Sequence, residues 1–172
     1  MSILERLRAL STIRGGRFLK YSFDTSGFLN PWKHYYRPIR FPKLWRDIDT
    51  RIHSQEVVAT EMVYYELKVK NDELTKWIAA RKEELIIKVD AAQFEFVRMI
   101  LNEFPKLVPT KTTTEKADPY VVALAIQKNL IVVTDEKRPL KGRVKIPQVC
   151  DHYGIECFDF QLFLDEIGYE DG

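Results

Sequence analysis

The chain has 172 residues, of which 45% are apolar and 30% charged, and its net charge is +2. This length suits one domain with its own core, and the composition excludes disordered and fibrous proteins. The small net charge means that nucleic-acid binding has to be argued from local clusters. Cys150 and Cys157 lack the spacing of a metal site or a disulfide framework. Without a membrane-spanning apolar run or a signal-peptide core, we expect a cytoplasmic protein that enters no membrane.

The first 17 residues form a short amphipathic segment with apolar residues at helical spacing, and Gly15 and Gly16 end it. We predict that residues 1–17 are an extension and that residues 18–172 form the domain. The extension either packs on the domain or frays, or it docks a partner.

The first predicted strand covers residues 17–24 and ends in an acid, Asp24, followed by Thr-Ser-Gly. An acid at the end of a strand is a candidate site residue. Aspartate is equally common as a turn or cap residue, so Asp24 alone does not decide between the two interpretations.

Aromatic and basic residues are interleaved over residues 31–51. This composition is typical of nucleic-acid binding, in which cations contact phosphates and rings stack on bases. Trp45 and Ile48 also lie at helical spacing, which favours a place in the core. We therefore predict that Trp45 is buried and that four basic residues line a rim. They are Lys33, His34, Arg37 and Arg40.

A second predicted strand, residues 56–59, is followed by a helix that Thr60 can cap. Glu66 lies on the apolar stripe of that helix, where a carboxylate is costly unless it finds a partner. Spacing alone slightly favours a boundary residue that turns to solvent. The next predicted helices cover residues 71–84, which are polar, and a segment capped by Asp90.

The most informative stretch covers residues 117–136. It predicts an apolar helix with Pro119 in its first position and Asp118 as candidate N-cap, then a tight turn at 128–129. The apolar run 130–133, in which every residue after Leu130 is β-branched, is typical of a central parallel strand. It stops at Thr134, and two acids follow, Asp135 and Glu136.

A second basic cluster comes directly after this strand end, and a last strand over residues 155–158 lies between two further helices. A charge run is usually a solvated loop, but this one lies beside two acids. Its members are Lys137, Arg138, Lys141, Arg143 and Lys145.

The order of strands and helices predicts a three-layer α/β/α domain with a short, mostly parallel central sheet. Asp24, Asp135 and Glu136 would meet at the carboxyl edge, and Asp118 would approach from a helix start. Clustered carboxylates repel one another unless a cation neutralises them. Oxygen ligands favour Mg²⁺ or Mn²⁺. Such a site suits phosphodiester hydrolysis, with basic residues holding the flanking phosphates.

Four short motifs resemble those of the PIN-domain ribonucleases, a family that includes the VapC-type toxins of toxin–antitoxin pairs. Residues 23–29 are similar to the first-strand motif, and residues 63–67 to the helix that supplies a glutamate. Residues 117–119 and 132–136 are similar to the segments with the third and fourth acids. The likeness extends over residues 18–167.

The likeness is closest to a PIN-like branch with an aromatic stretch at 32–36 and a Lys-Ile-Pro-x-Val-Cys segment at 145–150. The resemblance implies an endoribonuclease that uses Mg²⁺ or Mn²⁺ to cut RNA and is silenced by a small antitoxin. It implies that Glu66 is a metal ligand and that Asp118 is both ligand and cap. The implied catalytic and metal-binding set is Asp24, Glu66, Asp118, Glu136 and Asp135.

Three further points stay open in the sequence. A PIN-like module that no longer cuts, and binds RNA or protein instead, is the alternative function. A small-molecule phosphatase is disfavoured because the sequence lacks a glycine-rich phosphate cradle. A homodimer is the default symmetric assembly.

Asp135 and Glu136 are expected to have different roles, because adjacent side chains of an extended segment point to opposite sides. If Thr134 faces the cleft, Glu136 returns to that side, and the motif spacing selects the same residue. We therefore predict Glu136 as the fourth ligand; the alternative is that a turn beginning at Thr134 breaks the alternation and brings Asp135 inward.

Overall fold

The computed structural model describes residues 20–109 and 116–171. The predicted extension, residues 1–17, lies outside this range, as does most of the loop before residue 116. The described strands are short, and all five are parallel. They are β1 (Tyr21–Phe23), β2 (Val57–Thr60), β3 (Ile86–Ile87), β4 (Ile131–Val133) and β5 (Cys157–Phe158).

Nine α-helices connect and flank these strands within the described residues, together with a π-helical turn at Pro31–Tyr35 and a 3₁₀ turn at Pro105–Leu107. The first five are α1 (Thr25–Asn30), α2 (Pro42–His53), α3 (Glu61–Lys68), α4 (Glu73–Ala79) and α5 (Lys82–Leu85). The other four are α6 (Ala91–Glu103), α7 (Asp118–Lys128), α8 (Ile146–Tyr153) and α9 (Phe160–Glu166).

The strand order is β3-β2-β1-β4-β5, so β1 is central and pairs with β2 on one side and β4 on the other. Ser22 lies opposite Val58 in β2 and Val132 in β4. This order brings the ends of β1 and β4 together although they are more than 100 residues apart in the chain. The predicted parallel α/β fold is confirmed.

The side chains of β1 alternate between two helical layers, as the period of a strand requires. The Ser22 hydroxyl donates to the Val121 carbonyl of α7 at 3.3 Å. Tyr21 and Phe23 make edge contacts with Phe163 of α9, with ring centroids 5.0 Å apart in both cases. Helices therefore cover both faces of the sheet.

Helix α7 is the most deeply buried helix, since every residue from Pro119 to Ile126 is buried. Asn129 ends it in the left-handed conformation, and its N–H donates to the Ala125 carbonyl. The predicted turn at 128–129 is thus confirmed, as are the caps at Thr60 and Asp90 and the burial of Trp45.

The structure corrects two sequence-based predictions. Asp118 is not the N-cap of α7 but its first residue, because the backbone of Ala117 is already helical and provides no side-chain cap. Residues 71–84 do not form one helix: α4 ends at Ala79, and α5 leads directly into β3. This two-residue edge strand is too short to give a periodic signal, and the sequence did not predict it.

No helix in the described part of the chain is both long and apolar enough to cross a membrane.

Candidate active site at the carboxyl edge of the sheet

Asp24 directly follows β1 and is buried, with 3% of its surface exposed. It caps α1, because its side chain accepts a hydrogen bond from the Ser26 N–H. The Ser26 and Thr134 hydroxyls donate to the same oxygen, Oδ2, at 2.6 and 2.9 Å. These bonds hold the carboxylate in one orientation between the ends of β1 and β4.

Glu66 of α3 turns inward and joins two other segments of the site. Its Oε2 accepts a 2.6 Å bond from the Thr25 hydroxyl, next to Asp24. Its Oε1 accepts a 2.9 Å bond from the Ala117 N–H, next to Asp118. Glu66 is therefore not the solvent-facing boundary residue that spacing alone favoured. Both of its carboxylate oxygens are hydrogen-bonded, which offsets the cost of placing a carboxylate on this face of the helix.

Asp118 lies in the first turn of α7, where the helix dipole favours a negative charge. Its side chain is 13% exposed. Its Oδ2 lies 3.5 Å from an Arg143 guanidinium nitrogen, in the loop that follows β4. The same Arg143 nitrogen donates to the Leu107 carbonyl at 3.4 Å.

The acids act on one another electrostatically. Burial is the main reason that the pKa of Asp24 rises to about 6, and the charges of Glu136 and Glu66 contribute, while bonds from Ser26 and Thr134 oppose the rise. The pKa of Asp118 rises to about 7, first through burial and then through the charges of Asp24, Glu136 and Glu66. Asp24, Glu66, Asp118 and Glu136 therefore share one electrostatic environment.

The two acids after β4 have different partners. Asp135 accepts a 2.7 Å bond from the Asn30 side-chain amide at the end of α1. Glu136 accepts bonds of 3.0 Å from Lys145 Nζ and from the Ile146 N–H, at the start of α8. The Thr134 side chain faces Asp24, which is the condition under which alternating side chains return Glu136 to the cleft.

The basic residues predicted to contact nucleic acid, from the rim and from the loop after β4, are exposed. Besides Arg143, which lies against Asp118, two of them form ion pairs. Lys33 forms a 2.8 Å ion pair with Asp72, which is the main reason that the pKa of Asp72 falls to about 2. Arg138 forms a two-pronged pair with Asp151 of α8 at 3.0 and 2.7 Å. The other exposed members are His34, Arg37, Arg40, Lys141 and Arg143.

Residues 21–170 match the family model of a domain of unknown function, DUF4411. The chain belongs to this family. No curated protein matches the DUF4411 chain.

Solved structures show the same fold. A chain of DNA-bound VapBC from Salmonella typhimurium is 18% identical, with 83% of this chain and 99% of that chain covered and a TM-score of 0.51. A chain of VapBC-1 from nontypeable Haemophilus influenzae is 16% identical, with 82% and 98% covered and a TM-score of 0.50. The prediction of a PIN-like domain is thereby confirmed at the level of the fold.

The donor set of the DUF4411 site fits a hard divalent cation, because it consists of carboxylate oxygens whose charges are mutually unfavourable without one. Within the described residues, however, no three or more His, Cys, Asp or Glu side chains are arranged to hold a metal ion. Each Glu66 oxygen accepts one hydrogen bond, from the Thr25 hydroxyl or the Ala117 N–H, and each Glu136 oxygen accepts one from a group at the start of α8.

Sequence reasoning missed the neutral side chains that orient the acids. Ser26 bonds Asp24, and its oxygen also accepts the Asp135 N–H at 3.0 Å. Asn30 holds Asp135. The spacing of Asp24 and Ser26 is a cap pattern that could have indicated the first contact. The contacts between residues 26, 30 and 135 depend on the sheet order, and no local signal predicts them.

Proposed function

We propose that this DUF4411 protein is a metal-dependent endoribonuclease that hydrolyses RNA phosphodiester bonds with Mg²⁺ or Mn²⁺. The observation that supports the proposal most directly is the convergence of Asp24, Glu66, Asp118 and Glu136 from four separate segments on one electrostatic environment. Perturbed carboxylates that act on one another at a strand edge are typical of functional sites.

Asp24 and Asp118 would be the principal metal ligands, with Glu66 and Glu136 completing the set. A divalent ion bound there would supply an activated water for attack on phosphorus and would neutralise charge on the phosphate. The Ser26 and Thr134 hydroxyls orient Asp24 through Oδ2, and Oδ1 takes no part in these bonds. Asp135 is a second candidate at the fourth position, although its side chain is held by Asn30.

RNA would approach over the exposed basic residues on either side of the acids. We assign phosphate contacts to Lys33, His34, Arg37 and Arg40 from the rim, and to Arg138, Lys141 and Arg143 from the loop after β4. Electrostatic attraction to phosphates gives affinity without sequence readout. Lys33 and Arg138 would have to exchange an ion pair for the phosphate.

The biological setting that we propose is a toxin–antitoxin pair in the cytoplasm. The solved chains with the same fold come from VapBC structures. A small antitoxin is therefore the proposed protein partner, and a homodimer is the default assembly. The alternative is a silent PIN-like module, but all four proposed ligands are present in this chain.

Cleavage assays with single variants test the proposal. Asp24→Asn and Asp118→Asn should each abolish Mg²⁺-dependent cleavage of an RNA library, while circular dichroism shows an intact fold. Asp165→Asn is the matched control, because Asp165 is an exposed aspartate on α9. If both site variants cleave RNA at the wild-type rate, the assignment of Asp24 and Asp118 to the active site is wrong. A wild-type protein that binds RNA but never cuts it would favour the silent module.

A further inference from the structure

The loop between β4 and α8, residues 134–145, is tied to the rest of the fold near both ends. Near its start, the Arg138 guanidinium contacts both carboxylate oxygens of Asp151. At its end, Lys145 Nζ contacts Glu136, which also accepts the Ile146 N–H. Arg143 lies between these two attachments and extends to Asp118 and to the Leu107 carbonyl.

The partners of the four site acids differ in how easily they could be displaced. Hydroxyl and backbone groups hold Asp24 and Glu66. Glu136 and Asp118 each face a charged side chain of the loop, Glu136 facing Lys145 at 3.0 Å and Asp118 facing the more exposed Arg143 at 3.5 Å. The Arg143 side chain is 41% exposed, so water screens the pair and the contact is weak.

We propose that Arg143 is a displaceable counter-ion that occupies the metal-facing side of Asp118 and that a divalent cation must compete with it. The inference rests on the proposed metal site. The 3.5 Å contact places the guanidinium charge beside the Asp118 carboxylate, so Arg143 neutralises part of that charge in the metal-free protein. An ion bound at Asp118 removes the reason for the guanidinium to stay there.

The displaced Arg143 would then be available to the substrate. A guanidinium offers a planar fork of donors that matches a phosphate, and its departure from Asp118 leaves it beside the proposed cleavage position. Metal binding and RNA binding would therefore be coupled through one side chain. The structure contains both elements of this exchange, the weak ion pair and the tethered loop.

Mn²⁺ binding measured by calorimetry on the full chain, without RNA, tests the competition. Arg143→Gln should bind Mn²⁺ about two- to fivefold more tightly than wild type, since an ion pair of this exposure contributes about that factor. Lys137→Gln is the matched control, because it removes the same charge from an exposed position of the same loop and leaves the Arg138–Asp151 attachment intact. It should change the affinity by less than about twofold.

Each outcome has a defined meaning. Equal affinities for Arg143→Gln and Lys137→Gln would contradict the role of Arg143 as a counter-ion without contradicting the metal site. A wild-type chain that binds no Mn²⁺, or binds it equally well as Asp24→Asn, would contradict the proposed function itself.

A second readout needs no variant. The side-chain Nε–H resonance of Arg143 should move during a Mg²⁺ titration, while that of Arg138 stays fixed. An Arg143 resonance that remains unchanged as Mg²⁺ saturates the protein would also overturn the proposal.

Discussion

Among single residues, Asp24 combines deep burial with three hydrogen bonds to one carboxylate oxygen. The bonds orient the side chain, while burial opposes its charge and raises its pKa to about 6. The raised pKa predicts a pH dependence of stability. A group with a raised pKa in the folded state stabilises the fold fully below its unfolded pKa, near 3.8, and this contribution is lost as the pH rises through about 6.

In the metal-free protein, the free energy of unfolding should therefore fall between about pH 4 and pH 7. Two pKa units correspond to on the order of 3 kcal/mol for Asp24. Asp24→Asn should flatten this dependence, which urea unfolding in EDTA at pH 5 and pH 8 would measure. Asp165→Asn should behave as wild type. A wild-type protein more stable at pH 8 than at pH 5 would contradict the prediction.

A second prediction for single residues concerns which of the two acids after β4, Asp135 or Glu136, is needed for cleavage. Glu136→Gln should reduce Mg²⁺-dependent cleavage severely, because the Glu136 charge reaches both Asp24 and Asp118. Asp135→Asn should reduce it mildly, because that side chain is bonded to Asn30. Cleavage rates and Mg²⁺ titrations on the two variants distinguish them. A large loss in Asp135→Asn with near-normal Glu136→Gln would reverse the assignment.

Among the elements, α1 packs unusually close to the end of β4. A Cβ atom on Gly27 would lie 2.7 Å from the Val133 carbonyl oxygen, which is backbone and cannot turn aside. This close approach places the first turn of α1, with Ser26, against the strand end. The Ser26 contacts with Asp24 and Thr134 follow from it.

Gly27→Ala should therefore destabilise the protein by about 1–3 kcal/mol, the usual cost of overpacking. Without a steric clash, replacing a helical glycine by alanine stabilises the fold by about 0.5–1 kcal/mol. A loss of stability would therefore identify the clash with the Val133 carbonyl as the cause. Urea unfolding measures it. Unchanged or increased stability would show that α1 can shift away from β4 without cost.

For the whole molecule, the charge is nearly balanced, and the loop after β4 places basic side chains beside the acids, Arg143 at Asp118 and Lys145 at Glu136. Substitution of Arg138, Lys141 and Arg143 by Gln should weaken RNA binding and reduce its salt dependence. Each lost phosphate contact on a single strand lowers the slope by about 0.7. A control variant replaces three exposed basic residues elsewhere, Lys76, Arg98 and Lys106, and should keep the wild-type slope. Equal slopes in both variants would show that the loop after β4 is ordinary solvated surface.

The parallel α/β class could be predicted from local patterns, because β-branched runs and apolar helices have distinct periods that single segments reveal. Local patterns also predicted which acids follow strands, and the caps at Thr60 and Asp90. The sequence placed the cap at Asp118, one position too late, because it did not show that the backbone of Ala117 is already helical. The Ala117 N–H is bonded by Glu66, 51 residues earlier in the chain.

The partners that hold the acids could not be predicted in this way, because they come from distant segments of the chain. Glu66 turns inward because Thr25 and Ala117 reach it from other segments. Arg143 faces Asp118 because its loop is attached to α8 at two points. Arg138 contacts Asp151, and Glu136 accepts the Ile146 N–H. Such contacts join residues tens of positions apart, and they form only after the strand order has brought those segments to one edge.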